Sequence, residues 1–232
     1  MTNNLVLGYG KLGKEIVFQT QWDYLTRSEQ DFNFCDIRTY YKYLYGYNVI
    51  INCIANTDTY SNNKQEMLDI NFKGVCDLVD WCNKWEKKIV QISTDYVYAS
   101  SNHPAKETDI PLHAKTWYAY SKLLADGYIE SFANDYIIFR TSFKDSPFPY
   151  DKAIIYQKGN FDYTPKIASM IIELINKNAN GIVNVGHEEP WTMYEMAKET
   201  KPDIKLSYDT INENMPHDVS MDVSKMKGLL NL

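Results

Sequence analysis

The stretch NLVLGYGKLG, residues 4–13, decides the fold. Its first half is a short apolar run that predicts a β-strand, and its second half places glycines at positions 8, 10 and 13. Leu12, Ile16 and Val17 then recur at the spacing of one helix face. An ordinary tight turn also uses glycine, but three of the chain's ten glycines within six residues indicate a loop that phosphates approach closely. Strand, loop and helix together predict a dinucleotide whose pyrophosphate lies on the helix N-terminus.

Strands and helices alternate along the rest of the chain. Apolar runs predict strands at residues 47–55, 88–93 and 136–139, and a short strand that ends at residues 25–26. Helical spacing predicts helices over residues 64–88 and 118–133. Alternation of this kind produces parallel sheets with right-handed crossovers. The sequence therefore predicts an α/β fold, a doubly wound parallel sheet of the Rossmann type.

The sequence pattern changes after residue 145, and this change divides the chain into two predicted parts. Residues 1–145 form the dinucleotide-binding domain, and residues 146–232 form a small substrate-binding lobe, part of which returns to the sheet. Within the lobe, Thr164 and Pro165 predict a helix start with the hydroxyl as its cap. The strand GIVNV follows, and then Thr192 and Glu195 at the spacing of a capping box.

Composition excludes several classes of protein. With 232 residues and 44% apolar content, the chain can bury one compact core. A net charge of −6 without a basic stripe argues against nucleic-acid binding, and apolar runs fall short of the ~20 residues of a membrane helix. The four cysteines lack paired spacing, so we expect reduced, buried thiols in a cytoplasmic protein. Because the four histidines are scattered, no metal site is expected. A homodimer is left open.

The residues after the second strand bear on the nucleotide. An acidic residue at that point binds the ribose of NAD, whereas arginine pairs with the 2′-phosphate of NADP. This chain has Arg27 and Ser28 there, and Arg27 is one of three arginines. They favour NADPH, with NADH left open. The alternative is that Arg27 is only a solvated surface cation.

A third feature is a hydroxyl at a strand end followed by a tyrosine and a lysine. Thr94 ends the strand of residues 88–93, and Tyr118 and Lys122 lie four apart on the next predicted helix. The same spacing recurs by chance at Tyr60/Lys64 and Tyr194/Lys198. Only Tyr118/Lys122 follows a strand-end hydroxyl inside the domain with the glycine loop. Ligands bind at the carboxyl ends of parallel strands, so these groups are expected to face a cleft.

Carbonyl reduction requires such a set. Hydride goes to the carbonyl carbon while a proton reaches the developing alkoxide. A tyrosine with a pKa near 10 becomes a better acid when a lysine within about 4–6 Å lowers that pKa by about 1–3 units. We expect Tyr118 to act as the acid, Lys122 to lower its pKa and reach the nicotinamide ribose, and Thr94 to hold the carbonyl oxygen.

These residues resemble a known family. The matching segments, in order, are VIINCIA (49–55), ISTDYVY (92–98), YAYSK (118–122) and FRTSF (139–143). They resemble the extended short-chain dehydrogenases/reductases, and among them the dTDP-4-dehydrorhamnose reductase family. Weaker similarity continues almost to the end of the chain. The family usually has GxxGxxG, whereas this loop is one residue shorter, and the segment between residues 143 and 161 is also shorter than usual.

The resemblance implies an activity and residue roles. The activity is NADPH-dependent reduction of the 4-keto group of a nucleotide-linked 4-keto-6-deoxy sugar, for deoxysugar or glycan synthesis. Thr94, Tyr118 and Lys122 would be catalytic. The remaining cofactor residues would be Gly8, Gly10, Lys11, Leu12, Gly13, Arg27, Ser28, Asp36, Ala55 and Asn71. Asp95, Tyr96 and Phe143 would face the sugar. Asn71 has a simpler alternative role, a hydrogen bond to neighbouring backbone.

Further functions on the same fold stay open. A 4,6-dehydratase places an Asp-Glu pair after the threonine, and Tyr96 after Asp95 argues against it. A 4-epimerase normally holds NAD tightly, which Arg27 mildly disfavours. The residues are also compatible with a combined 3,5-epimerase/4-reductase and with a non-catalytic NADP-binding regulatory subunit.

Overall fold

The structure is a computed structural model that describes residues 3–30, 32–102, 104–209 and 212–232. His103, one of the four scattered histidines, lies outside the described residues. The strands are β1 (Asn4–Leu7), β2 (Asp23–Leu25), β3 (Val49–Asn52), β4 (Lys88–Thr94), β5 (Tyr136–Thr141), β6 (Phe143–Lys144), β7 (Lys152–Ile154), β8 (Lys158–Gly159), β9 (Asp162–Tyr163), β10 (Gly181–Val185), β11 (Trp191–Thr192) and β12 (Lys205–Ser207). The helices are α1 (Lys11–Thr20), α2 (Arg27–Gln30), α3 (Tyr41–Leu44), α4 (Lys64–Leu68), α5 (Gly74–Lys84), α6 (Trp117–Phe132), α7 (Thr164–Asn176), α8 (Met193–Thr200) and α9 (Ser224–Leu230).

Six parallel strands form the central sheet in the described part of the chain, in the order β10-β5-β4-β3-β1-β2. Helices cover both faces: α1, α7 and α9 pack in one core, and α3, α5 and α6 in the other. Since both faces are covered, β1 and β3 are buried at every residue, and three of the four residues in each strand are apolar. The predicted doubly wound parallel sheet is confirmed. The chain order reverses at β1, between β2 and β3, where such sheets bind ligands.

The C-terminal residues divide between this sheet and a separate core. Strand β10 adds to the sheet edge beside β5, and α7 packs against α1. A third core lies outside the sheet and includes Phe148, Phe161, Met193, Met196 and Val219. The division at residue 145 stays a prediction.

Two predicted helix starts have different outcomes. The capping box of Thr192 and Glu195 is present, with both reciprocal hydrogen bonds. The predicted cap at Thr164 is wrong: Tyr163 holds the N-cap position, and the Thr164 hydroxyl donates instead to the Lys144 carbonyl at 2.9 Å. Pro165 lies in the first turn, as expected.

The four cysteines are free thiols. Cys82 is buried and Cys53 and Cys76 are half-buried, but Cys35 is exposed, so the expectation of burial is wrong for Cys35. No helix in the described ranges is long and apolar enough to cross a membrane. The described residues also contain no group of three His, Cys, Asp or Glu that could hold a metal ion.

Candidate active site

The glycine loop connects the end of β1 to α1, and its geometry explains two of its glycines. Gly8 has φ +93°, a conformation that favours glycine, and its N–H donates to the Leu25 carbonyl at 2.9 Å. A Cβ on Gly13 would lie 2.1 Å from the Gly8 carbonyl oxygen. Only glycine at this position therefore permits the close approach of α1 to the strand. These two glycines fix the turn and the start of the helix.

The third glycine leaves space above the helix. Gly10 is the N-cap of α1, has no side-chain cap, and an added Cβ would meet nothing within 4 Å. The first N–H groups of a helix lack partners within it, so this open N-terminus suits a pyrophosphate. Leu12 is buried in the core and can offer only its backbone. Lys11 pairs with Asp145 at 2.6 Å. The residues present fit a dinucleotide.

Arg27 and Ser28 lie in the first turn of α2, directly after β2, and both are exposed. Since β2 neighbours β1, this position is beside the glycine loop, where an adenosine ribose would lie. Asp36 is engaged elsewhere: its carboxylate accepts two hydrogen bonds of 2.8 Å from the Arg38 guanidinium, which holds its pKa below the usual range. The structure shows no contact of Asp36 with the glycine loop. The predicted role of Asp36 in cofactor binding stays a prediction.

Asn71 is fully buried in a π-helical turn, Asp69–Lys73, between α4 and α5. Its side chain accepts from the Asn56 N–H at 2.8 Å and donates to the Asn56 carbonyl and the Ser121 hydroxyl. It therefore fixes the segment after β3, which also contains the half-buried Ala55, against α6. π-Helical turns frequently occur at functional sites. The backbone-bonding role predicted for Asn71 is confirmed, and contact with a cofactor stays a prediction.

The predicted catalytic residues come together at the carboxyl end of β4. Thr94 ends the strand, and Tyr118 and Lys122 lie on successive turns of α6. The Thr94 hydroxyl lies near enough to the Tyr118 hydroxyl to favour the ionised form of the tyrosine. The ammonium of Lys122, which is buried, donates to the Ile92 carbonyl at 2.5 Å. One tyrosine, one lysine and one threonine thus share a small volume, as carbonyl reduction requires.

Burial dominates the electrostatics of this cluster. It raises the pKa of Tyr118 to about 12, and the hydrogen bond with Thr94 only partly opposes the shift. It lowers the pKa of Lys122 to about 8, against the attraction of Asp126 and Cys53. The expectation that Lys122 lowers the pKa of Tyr118 is therefore wrong for this structure. Both groups lose hydration, and this cost exceeds the effect of the charges around them.

Asp95 does not face a cleft as expected. Its side chain is 1% exposed, one carboxylate oxygen accepts from the Thr94 hydroxyl at 3.1 Å, and the other has no hydrogen-bond partner. Burial raises its pKa to about 7, opposed by the Thr94 hydrogen bond and by Lys144. The neighbouring Tyr96 hydroxyl contacts the hydroxyl of Tyr60 and accepts from Gln157, each at 3.1 Å. Phe143 is half-buried on β6.

A buried polar network beneath the cluster was missed from the sequence. Asp126 accepts from the Ser93 hydroxyl at 2.9 Å and from the Arg140 guanidinium at 3.0 Å. Arg140 also donates to the Tyr98 hydroxyl at 2.6 Å. The signal was available, because Asp126 lies one turn beyond Lys122 and Arg140 is a rare arginine inside an apolar strand.

A groove of about 900 Å³ runs beside the first turn of α6. Aromatic and cationic side chains line much of it, among them Tyr60, Lys64, Phe72, Lys115, Trp117 and Tyr120. The Lys64 ammonium lies 4.8 Å from the centre of the Trp117 ring. Flat apolar rings and ammonium groups suit a ligand that combines a planar ring with negative charge.

The sheet, the glycine loop and the cluster of Thr94, Tyr118 and Lys122 define the class of protein, an extended short-chain dehydrogenase/reductase. A comparison of the sequence with models of known families shows to which family within this class the chain belongs. The family model described as RmlD substrate binding domain matches residues 3–144, more than half of the chain. The chain belongs to this family.

Known structures share the fold. A dTDP-4-dehydrorhamnose reductase from Clostridium acetobutylicum ATCC 824 superposes with a TM-score of 0.84 at 22% identity, over 98% of this chain and 92% of that one. The dTDP-4-dehydrorhamnose reductase from Bacillus anthracis str. Ames, in complex with NADP, gives a TM-score of 0.84 at 19% identity, over 100% and 92%. A UDP-N-acetyl-alpha-D-glucosaminuronate decarboxylase from Bacillus cytotoxicus is 23% identical over 217 residues, covering 76% of this chain and 68% of that protein.

Proposed function

We propose that this protein is an NADPH-dependent reductase of the 4-keto group of a nucleotide-linked 4-keto-6-deoxy sugar. The observation that carries the proposal is the meeting of Thr94, Tyr118 and Lys122 at the end of β4. A protein that only bound a dinucleotide would not need this set. Family membership and the likeness to two dTDP-4-dehydrorhamnose reductases, one crystallised with NADP, support the substrate class and the cofactor.

The cofactor would lie across the carboxyl ends of β1 and β3, with Gly8, Gly10 and Gly13 at its pyrophosphate and Arg27 and Ser28 at its adenosine ribose. Bound there, it supplies hydride to the carbonyl carbon of the substrate. NADPH is proposed over NADH because Arg27 can pair with a 2′-phosphate. The fold of an NAD-binding relative would instead carry a carboxylate at this position.

The side chains of this protein supply the proton that the developing alkoxide takes up. Tyr118 is protonated throughout the neutral range, since its pKa lies at about 12, and it gives its proton to the developing alkoxide. Thr94 places its hydroxyl beside that of Tyr118, so both can contact the same carbonyl oxygen. Lys122 is held by Ile92, one turn along α6 from Tyr118, and supplies positive charge near the developing negative charge.

The groove beside α6 is the proposed place of the nucleotide sugar. Trp117 and Tyr120 flank Tyr118 in the chain and line the groove, so a sugar at Tyr118 would place its nucleotide among these rings. Residues 146–232 are proposed as the substrate lobe, since residues 212–214 close the groove from that side. The free cysteines suit a reducing compartment, and we place the reaction in the cytoplasm.

The test is NADPH oxidation with dTDP- and UDP-linked 4-keto-6-deoxyglucose, for the native protein and Tyr118→Phe. We expect turnover with at least one sugar and its collapse in Tyr118→Phe, with NADPH affinity retained. Tyr128→Phe, farther along the same helix and outside the groove, is the matched control for loss of a tyrosine hydroxyl. NADPH binding without consumption of either sugar would contradict the proposal, and interconversion of sugars without net NADPH oxidation would favour an epimerase.

A further inference from the structure

Asp95 is a buried carboxyl group that the proposed reaction has not yet used. It lies next to Thr94 in the chain, is 1% exposed, and has one oxygen without a hydrogen-bond partner. An ionised carboxylate in such surroundings is costly, since the Thr94 hydroxyl, the charge of Lys144 and the backbone of Asp95 and Tyr96 compensate only in part for lost hydration. An apolar residue could fill the same space without this cost of lost hydration. Its position beside the reacting hydroxyls therefore calls for a role.

A continuous line of groups joins Asp95 to Tyr118. The Thr94 hydroxyl is close enough to the Tyr118 hydroxyl to lower the pKa of Tyr118, and it is 3.1 Å from the Asp95 carboxylate. On its other side Asp95 interacts with the half-buried Lys144. Lys144 interacts in turn with Lys11 and Asp145, whose ion pair is 62% and 41% exposed. The charges that surround Asp95 thus extend to the exposed pair of Lys11 and Asp145.

The chemistry of Tyr118 requires a second proton source. Its hydroxyl is desolvated, so the tyrosinate left after proton donation is unfavourable. Lys122 cannot return a proton along a direct bond in this structure, because its ammonium donates to the Ile92 carbonyl. The Thr94 hydroxyl is the group that acts on the Tyr118 hydroxyl, and Asp95 is the acid hydrogen-bonded to Thr94.

We propose that Asp95 supplies the proton that restores Tyr118 in each reductive turnover, acting through the Thr94 hydroxyl. This inference rests on the proposed reductase function. It makes Asp95 a positioning and proton-relay residue that acts through Thr94, because its buried carboxyl group contacts the Thr94 hydroxyl.

Protons and charges balance in this relay. Hydride arrives at the carbonyl carbon, and the resulting alkoxide takes the proton of the Tyr118 hydroxyl. The tyrosinate takes the Thr94 proton as Thr94 takes the proton of the Asp95 carboxylic acid, in one concerted shift. Asp95 is left as a carboxylate beside the Lys144 ammonium. It regains a proton from solvent before the next turnover.

The direction of the pH dependence follows from the surroundings of Asp95. Lys144 on β6 lowers its pKa, while Tyr118 on α6, Tyr60 after β3 and Tyr96 in the following 3₁₀ turn face it as neutral phenols. With a pKa of about 7, Asp95 holds its proton below neutrality and loses it above. Since reduction uses the protonated acid, kcat should decline as the pH rises through about 7.

The first experiment needs neither substrate nor cofactor. The protein is labelled with ¹³C at aspartate carboxyl carbons, and the signal that disappears in Asp95→Asn is followed by NMR across the neutral range. We expect that carboxyl group to titrate near pH 7. In Lys144→Gln it should titrate at a higher pH, because a cation that favours the carboxylate is lost. Titration at the ordinary aspartate pKa of about 4 would overturn the relay.

The second experiment measures kcat and KM against pH for the native protein, Asp95→Asn and a control, Asp80→Asn. Asp80 also accepts a tyrosine hydroxyl, that of Tyr128, but lies on the remote α5. We expect Asp95→Asn to lower kcat about 100-fold with little change in KM, and to abolish the decline near pH 7. Asp80→Asn should keep the native profile.

The outcomes separate the two proposals. If the native protein oxidises NADPH and Asp95→Asn keeps its kcat and pH profile, the relay is wrong and the reductase stands. If Asp95→Asn is poorly folded, Lys144→Gln decides the matter, since the relay requires its decline in kcat to move to higher pH. If the native protein reduces neither sugar, the reductase proposal fails, whereas the carboxyl titration still reports whether Asp95 holds a proton at neutrality.

Discussion

The ammonium of Lys122 donates to the carbonyl oxygen of Ile92 at 2.5 Å, two residues before Thr94 on the same strand. This bond fixes α6 against the end of β4 and holds the lysine beside Tyr118. Burial costs Lys122 its hydration, and its pKa falls to about 8 despite the attraction of Asp126 and Cys53. The residue proposed to supply positive charge to the reaction is therefore only partly charged in mildly alkaline solution.

The charge of Lys122 should set an alkaline limit to the reaction. A lysine with a lowered pKa is charged below about pH 8 and neutral above it, so kcat should fall as the pH rises through 8. Lys122→Met should lower kcat by about 100-fold and remove this limb, while any decline near pH 7 due to Asp95 persists. Steady-state kinetics against pH for both proteins measures this. If the decline of kcat near pH 8 persists in Lys122→Met, a group other than Lys122 causes that decline.

Two alanine substitutions in the glycine loop should separate folding from cofactor binding. In Gly13→Ala the new Cβ would lie 2.1 Å from the Gly8 carbonyl oxygen, so the backbone must shift, at a cost of about 1–3 kcal/mol. In Gly10→Ala it meets nothing within 4 Å and φ is −75°, so stability should stay within about 0.5 kcal/mol.

The methyl group of Gly10→Ala nevertheless enters the space proposed for the pyrophosphate. We expect NADPH affinity to fall at least about tenfold, which is about 1.4 kcal/mol. Urea unfolding and calorimetric titration with NADPH, applied to both variants, provide the measurements. Native affinity in Gly10→Ala would place the pyrophosphate elsewhere.

Local sequence signals were sufficient for the sheet and the loop. Strand β1, the three glycines and the apolar face of α1 lie within residues 4–20, and their spacing alone specifies their structure. Strand β10 matches the predicted GIVNV segment, since a short apolar run of branched residues indicates a strand wherever it pairs. Strand β10 pairs with β5 because of the path that α7 takes across the sheet. The periodicity of the sequence does not predict that path.

The electrostatics of the site could not be predicted in the same way. From the sequence, Asp95 follows a strand end and is expected to face a cleft, but the 3₁₀ turn Asp95–Tyr98 folds its side chain inward. The spacing of Tyr118 and Lys122 correctly placed both on one helix face. It did not reveal their loss of hydration, because burial arises from β4, α6 and the segment after β3 packing together. The loss of hydration outweighs the charge effect on which the prediction rested.

The buried pair of Arg140 and Asp126 should dominate the stability of the region below the site. The two side chains are 1% and 0% exposed, and one oxygen of Asp126 already lacks a partner. Arg140→Met removes the cation that pairs with this carboxylate and leaves it the Ser93 hydroxyl, and we expect a loss of about 3–5 kcal/mol in the free energy of unfolding. Lys73→Met removes the exposed pair with Asp69 and should cost about 0.3–0.5 kcal/mol. Urea denaturation compares them. A loss below about 1 kcal/mol in Arg140→Met would show that the core relaxes around Asp126.

Arg27 should determine the choice between NADPH and NADH. It is exposed at the start of α2, so it can rotate toward a 2′-phosphate without disturbing the core. Hydrogen bonds to charged groups contribute about 1.5–3 kcal/mol, so Arg27→Ala should weaken NADPH binding about 10- to 100-fold and leave NADH binding nearly unchanged. Lys42→Ala, which removes an exposed cation from α3, is the control and should bind both cofactors as the native protein does. Calorimetric titrations with each cofactor give the ratio of affinities. If Arg27→Ala keeps the native preference, Arg27 is a solvated surface cation and another group selects the cofactor.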